Sequence, residues 1–191
     1  MAAEGQCLVD LVAQHDLPTW SSACAIYFRG WIRWRRAERE TAIADMREGL
    51  HVLRDQRQVL FVSFFEPNLA EAEAGEAGLA RLDDALAETG RTGHRYYEAE
   101  THRIRGELML KRDPVNVGLA EDAFLAAIAV AQKQGARSFE LRTALALARL
   151  YQSTDRPADA RAVLSPALEG FAPTPEMPEI AEAEALLSQL A

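Results

Sequence analysis

Four histidines and two cysteines are the side chains here with the widest chemical range, and their spacing assembles no site. His15, His51, His94 and His102 are scattered, and none belongs to an H-E-x-x-H pair, which would set two imidazoles one helical turn apart for zinc. Cys7 and Cys24 are too few for a four-thiolate site or a disulfide framework. Both are expected to be small core residues in a reducing compartment. His102, next to Arg103 on a helical stretch, is expected to be a surface or packing residue. The carboxylate pairs Asp83–Asp84 and Glu98/Glu100 lie on charged helical faces, where solvation accounts for them. No G-x-x-x-x-G-K-[ST] or G-x-G-x-x-G loop is present to cradle phosphate, and no serine stands in a G-x-S-x-G elbow. The expectation is a protein that is not an enzyme and uses no metal or cofactor.

Binding chemistry is better represented. Arg29, Trp31, Arg33, Trp34, Arg35, Arg36 and Arg39 make one stretch of interleaved aromatic and basic residues, a pattern that suits single-stranded nucleic acid through stacking and phosphate contact. Glu38, Glu40, Asp45 and Glu48 follow at once, and residues 66–90 carry seven acids (Glu66, Glu71, Glu73, Glu76, Asp83, Asp84, Glu88) against Arg81. A solvated face, or a basic-to-acidic contact between neighbouring segments, is the favoured account, and nucleic acid is kept as a distant alternative. The net charge of −8 argues the same way. No run of eighteen apolar residues exists to cross a membrane, and Met1 to Asp16 lacks the basic start and apolar block of a secretory leader. A cytoplasmic protein without a membrane partner is expected.

These residues must be positioned by helices. The chain has 191 residues, 35 of them alanine, the strongest helix former. Runs of alternating β-branched residues are absent, the best strand candidate being Val59 to Phe65. A short pattern recurs: small residue, three others, large apolar residue, two others, small residue. It reads Ala42-Met46-Gly49, Gly78-Leu82-Ala85, Ala120-Phe124-Ala127 and Ala160-Leu164-Ala167, with starts 36, 42 and 40 residues apart. An aromatic residue stands twelve positions after each of the first three closing small residues: Phe61, Tyr97 and Phe139, with Trp20 likewise placed after Leu8. A small residue follows nine or ten positions later, at Gly30, Ala70, Gly106 and Ala148. Gly90 to Gly93 and Gln134-Gly135 supply helix stops, and Asp155 or its neighbour is placed to cap a helix with Pro157 in its first turn. Pro67 falls within a helical pattern and is expected to kink or split it.

The two markers in phase resemble the tetratricopeptide repeat, most clearly at Arg105-Gly106 to Met109 with Ala120-x3-Phe124, and at Leu147-Ala148-x2-Tyr151 with Ala160-x3-Leu164. The long periods resemble the MalT-like repeat regions of bacterial signalling ATPases and transcriptional regulators. Gly78 to Leu86, Tyr97 to Leu108, Gly135 to Leu150 and Glu182 to Leu187 are similar to the C-terminal repeats of predicted ATPases associated with adenylate/guanylate cyclase domains. The resemblance runs from about Trp20 to the end and implies an all-α, right-handed superhelical solenoid. It would be a single repeat domain over 1–191: a leading helix (1–16), repeats at 20–56, 57–90 (irregular), 95–135 and 137–171, and a capping helix (178–191).

The resemblance also implies a non-catalytic interaction or regulatory scaffold, the C-terminal sensor or partner-binding part of a larger protein. In hairpin stacks the first helix of each unit lines the groove. Measured from the small packing residues, the groove face holds Cys24, Tyr27, Trp31 and Trp34, then Glu100, Arg103, Glu107 and Leu110, then Arg142, Leu145, Arg149 and Gln152. The expected binding residues are Tyr27, Trp31, Trp34, Arg103, Glu107, Arg142 and Arg149, taking an extended or helical peptide, another protein or adjoining domains of a parent protein. The alternatives are that the three aromatics pack internally, or that the open N-terminal end pairs two copies as a homodimer.

Overall fold

The computed structural model describes residues 2–15 and 19–190, which form ten α-helices with no strand among the described residues. They are α1 (Ala2–Gln14), α2 (Thr19–Arg35), α3 (Arg39–Asp55), α4 (Val59–Glu73), α5 (Gly75–Thr92), α6 (Glu98–Arg112), α7 (Gly118–Gln134), α8 (Arg137–Ser153), α9 (Pro157–Leu168) and α10 (Pro178–Gln189). The all-α class holds. Met1 and residues 16–18 of the leading segment, and Ala191 of the closing helix, lie outside the described residues. The strand candidate Val59 to Phe65 is the first half of α4. Where one domain is expected, the chain packs as two compact units, α1–α5 ending at Tyr96 and α6–α10 beginning at Tyr97.

The recurring small residues mark where helix backbones approach. In the first unit, a methyl placed on Gly49 would come within 2.7 Å of the Ala23 carbonyl oxygen, so α2 and α3 meet without a side chain between them. In the second unit a methyl on Gly106 would come within 2.7 Å of the Phe124 ring, so that glycine of α6 receives the large residue of α7. The aromatic register has a matching role. Trp20 of α2 stacks on Phe61 of α4 with ring centroids 5.5 Å apart, and Tyr97, just before α6, meets Phe139 of α8 at 5.7 Å. Each pair joins the first helices of successive hairpins inside one unit. The first core gathers Tyr27, Met46, Leu50, Leu53, Phe65 and Leu69; the second gathers Phe124, Leu141, Leu147, Leu164 and Ile180.

The turns follow the sequence in most places. Gly93 and Gly135 end α5 and α7 in the left-handed conformation. Two expectations change. Helix α4 runs unbroken through Pro67. That residue removes the donor for the Ser63 carbonyl, but it is buried with Phe65, Leu69 and Ala70, whose packing holds the helix together. The short spacing of this hairpin leaves Ala74 alone between α4 and α5, at φ 57°. Asp155 caps nothing: it sits at φ 58°, and Arg156 takes the N-cap position before Pro157 with no side-chain cap bond.

Candidate protein-binding surface

Tyr27 is the first of the expected groove residues to be corrected. Its side chain is 1% exposed, stacked on Phe65 at 3.9 Å, and its hydroxyl donates to the Phe65 carbonyl at 2.7 Å. Burial pushes that phenol well above its ordinary range. The face of α2 assigned to a groove is therefore the face that meets α4. Cys24 on the same face is buried, its thiol pushed up to about 11 by burial, whereas Cys7, expected in the core, is exposed. Trp31 and Trp34 are half-buried against the first core, with the Arg35 guanidinium 6.0 Å from the centre of the Trp31 ring. These aromatics pack internally, one of the two alternatives open to them.

The basic stretch is bound within its own unit. Arg29 and Arg33 both donate to the buried carboxylate of Asp45, at 2.8 and 2.6 Å. Burial acts to raise the Asp45 pKa, but these hydrogen bonds and charges outweigh it and hold the carboxyl below its ordinary range. Arg39 reaches the Glu73 carbonyl at 2.6 Å. Glu66 and Glu73 of α4 are almost fully enclosed and share Arg81 of α5, at 2.9 and 2.7 Å, while Arg54 and Arg47 of α3 close the two ends. Glu66 and Glu73 of the acidic segment thus find their cations inside the first unit, and Arg29, Arg33 and Arg39 of the stretch proposed for phosphate contact are committed to protein groups.

In the second unit, Arg103 lies between Glu100 and Glu107 on one face of α6, donating to both. Arg142 and Arg149 do not line an open groove. Arg142 Nε donates to Glu179 at 2.8 Å and Arg149 pairs with Glu182, so both carry α10. Leu145, between them, is buried. The correction follows from α10 itself, whose Ile180, Ala183 and Leu186 join the second core and bring its acidic edge onto α8. His102 is half-buried, with burial holding its imidazole below the ordinary range and Nδ1 without a hydrogen-bond partner.

The surface that sequence reasoning missed lies elsewhere in the first unit. Trp20 is 39% exposed although stacked on Phe61, and Val59 and Leu60 at the start of α4 are 40% and 51% exposed. Trp20 and Phe61 carried a signal as register aromatics, but Leu60 looked like any apolar residue of a helical stretch. Among the described residues no three His, Cys, Asp or Glu side chains are grouped to hold a metal ion, and no helix is long and apolar enough to cross a membrane.

No family model matches the chain, and no solved structure matches it. An uncharacterized protein of Rhizobium meliloti (strain 1021) is 25% identical over 139 residues, 71% of this chain. The chain spans about 13% of that relative's length.

Proposed function

We propose that this chain is a non-catalytic protein-interaction module. Its helical hairpins stack as a right-handed solenoid of the tetratricopeptide type, and it serves as the partner-binding or sensing region of a larger cytoplasmic regulator of the signalling-ATPase, cyclase-associated or MalT-like kind. The repeat of one packing scheme in both units supports the hairpin stack, and the match to a small share of a much longer relative supports a place within a larger protein. The observation that carries the binding role is the exposure of Trp20, stacked on Phe61, and of Val59 and Leu60, the two residues that precede Phe61 in α4. Apolar side chains left in water lower the free energy when a partner covers them, and tryptophan is among the residues that dominate protein–protein contacts.

The test is site-specific photo-crosslinking in the native host, with the photoreactive residue placed at Leu60 and, as control, at Asp84, which is exposed and polar. A discrete adduct with another protein at position 60 and none at position 84 is the expected outcome. An adduct of twice the chain's own mass assigns the surface to self-association instead. Equal labelling at both positions removes the binding role from this surface.

A further inference from the structure

We infer that the face of α8 and α9 beside Arg142, Arg149 and Arg161 is a docking site for an acidic amphipathic helix, which α10 occupies in this structure as a displaceable occupant. The inference rests on the interaction role proposed above and adds the chemistry of a partner.

The charge pattern is complementary at the first two turns of α10 and at its C-terminal end. Helix α10 carries Glu179, Glu182 and Glu184 and no basic residue. Its apolar side, Ile180, Ala183 and Leu186, is buried on the second core. Three guanidiniums of the underlying helices grip it in order. Arg142 holds Glu179 at the N-terminal turn, Arg149 holds Glu182 one turn on, and Arg161 of α9 donates to the Leu190 carbonyl just past the C-terminal end. Cations placed on acidic side chains at the start of a helix and on its carbonyl end recognise both its charge and its direction. An occupant is therefore specified: a helix with glutamates three residues apart on one edge and apolar residues at one-turn spacing beside them.

Two features make α10 an occupant rather than a fixed part of the wall. Glu179 Oε2 is buried without a hydrogen-bond partner, so the fit at the first turn is incomplete. The end of α9 is secured without α10, because Arg137 lies 5.7 Å from the centre of the Phe171 ring and donates to the carbonyls of Pro166, Ala167 and Glu169. The nine residues from Glu169 to Met177 then tether α10, giving it the advantage of high local concentration over any helix arriving from solution.

The experiment uses the full chain and a fluorescent peptide of residues 176–190, with binding read by anisotropy. Ile180→Asp/Leu186→Asp unseats α10 in cis while leaving Arg142, Arg149 and Arg161 in place. The unseated chain is expected to bind the peptide at least about ten-fold more tightly than the wild type does. Adding Arg142→Glu/Arg149→Glu is expected to abolish that gain, and a peptide with Glu179→Arg/Glu182→Arg to restore it. Equal binding by wild-type and unseated chains, absence of binding to both, or indifference to the charge reversals would overturn the inference. So would a loss of helical ellipticity beyond the twelve residues of α10, which would show that the helix is an inseparable part of the core. A crosslink at Leu60 is independent of all these outcomes, so the broader role and this partner can fail separately.

Discussion

A methyl group added at Gly30 would lie 2.6 Å from the Ala42 carbonyl oxygen and 2.8 Å from the Met46 nitrogen, both backbone atoms that cannot rotate away. Gly30→Ala is expected to cost about 1–3 kcal/mol by forcing α2 and α3 apart. Gly90, inside α5 with nothing within 4 Å of that position, is expected to gain about 0.5–1 kcal/mol on substitution by alanine, because the helix loses a residue of high unfolded-state entropy. Urea unfolding at unchanged slope distinguishes the two signs. Asp45 makes a second prediction, in pH. Its folded pKa lies below its unfolded value, so its contribution is present above about pH 4 and is lost as pH falls through the depressed folded value. Asp45→Asn is expected to destabilise the chain by about 1.5–3 kcal/mol at pH 7, with the gap to wild type closing toward pH 3. Thermal melts of both proteins between pH 7 and pH 3 check it.

Between helices, the heaviest electrostatic burden falls on Arg81. It is the guanidinium shared by Glu66 and Glu73, two carboxylates of α4 that water hardly reaches. Arg81→Met keeps the aliphatic bulk but leaves Glu66 with Arg54 alone and Glu73 with Arg47 alone, at an expected cost of about 1.5–3 kcal/mol. Adding Glu66→Gln/Glu73→Gln is expected to recover part of that loss, and a double-mutant cycle by chemical denaturation measures the coupling. A basic-to-acidic contact between neighbouring segments was legible in the sequence, but the partners in this network were not, for a physical reason. The register of small residues and aromatics is set by helix contacts at nearly fixed spacing, so the positions of Gly30, Gly106, Trp20, Phe61, Tyr97 and Phe139 could be read from the chain, whereas the stacking of Trp20 on Phe61 and of Tyr97 against Phe139 could not. Pairing Arg81 with Glu66 and Glu73, or Arg142 with Glu179, depends on the rotation and crossing of whole helices. The same rotation decided Tyr27: a shift of one residue around α2 separates a groove face from the face stacked on Phe65. Pro67 misled because its missing hydrogen bond is a local cost, while the burial that outweighs it comes from other helices.

For the molecule as a whole, the competing uses of the exposed apolar residues differ in how they respond to salt. Two copies each carrying a net charge of −8 repel at low ionic strength, and added salt screens that repulsion while leaving apolar contact intact. Self-association through Trp20, Val59 and Leu60 would therefore strengthen with salt. Against it stands size: stable interfaces bury roughly 1,200–2,000 Å² in total, far more than three part-exposed side chains on each copy supply. Light scattering is expected to return a monomer mass from low to high salt across a concentration series, for the wild type and for Leu60→Asp alike. A dimer that grows with salt and is dispersed by Leu60→Asp would instead make this surface the contact between copies. With a monomer at every salt concentration, Trp20, Val59 and Leu60 remain available as the apolar centre of a contact with a different chain, in which the polar residues around them on this chain must form the rim.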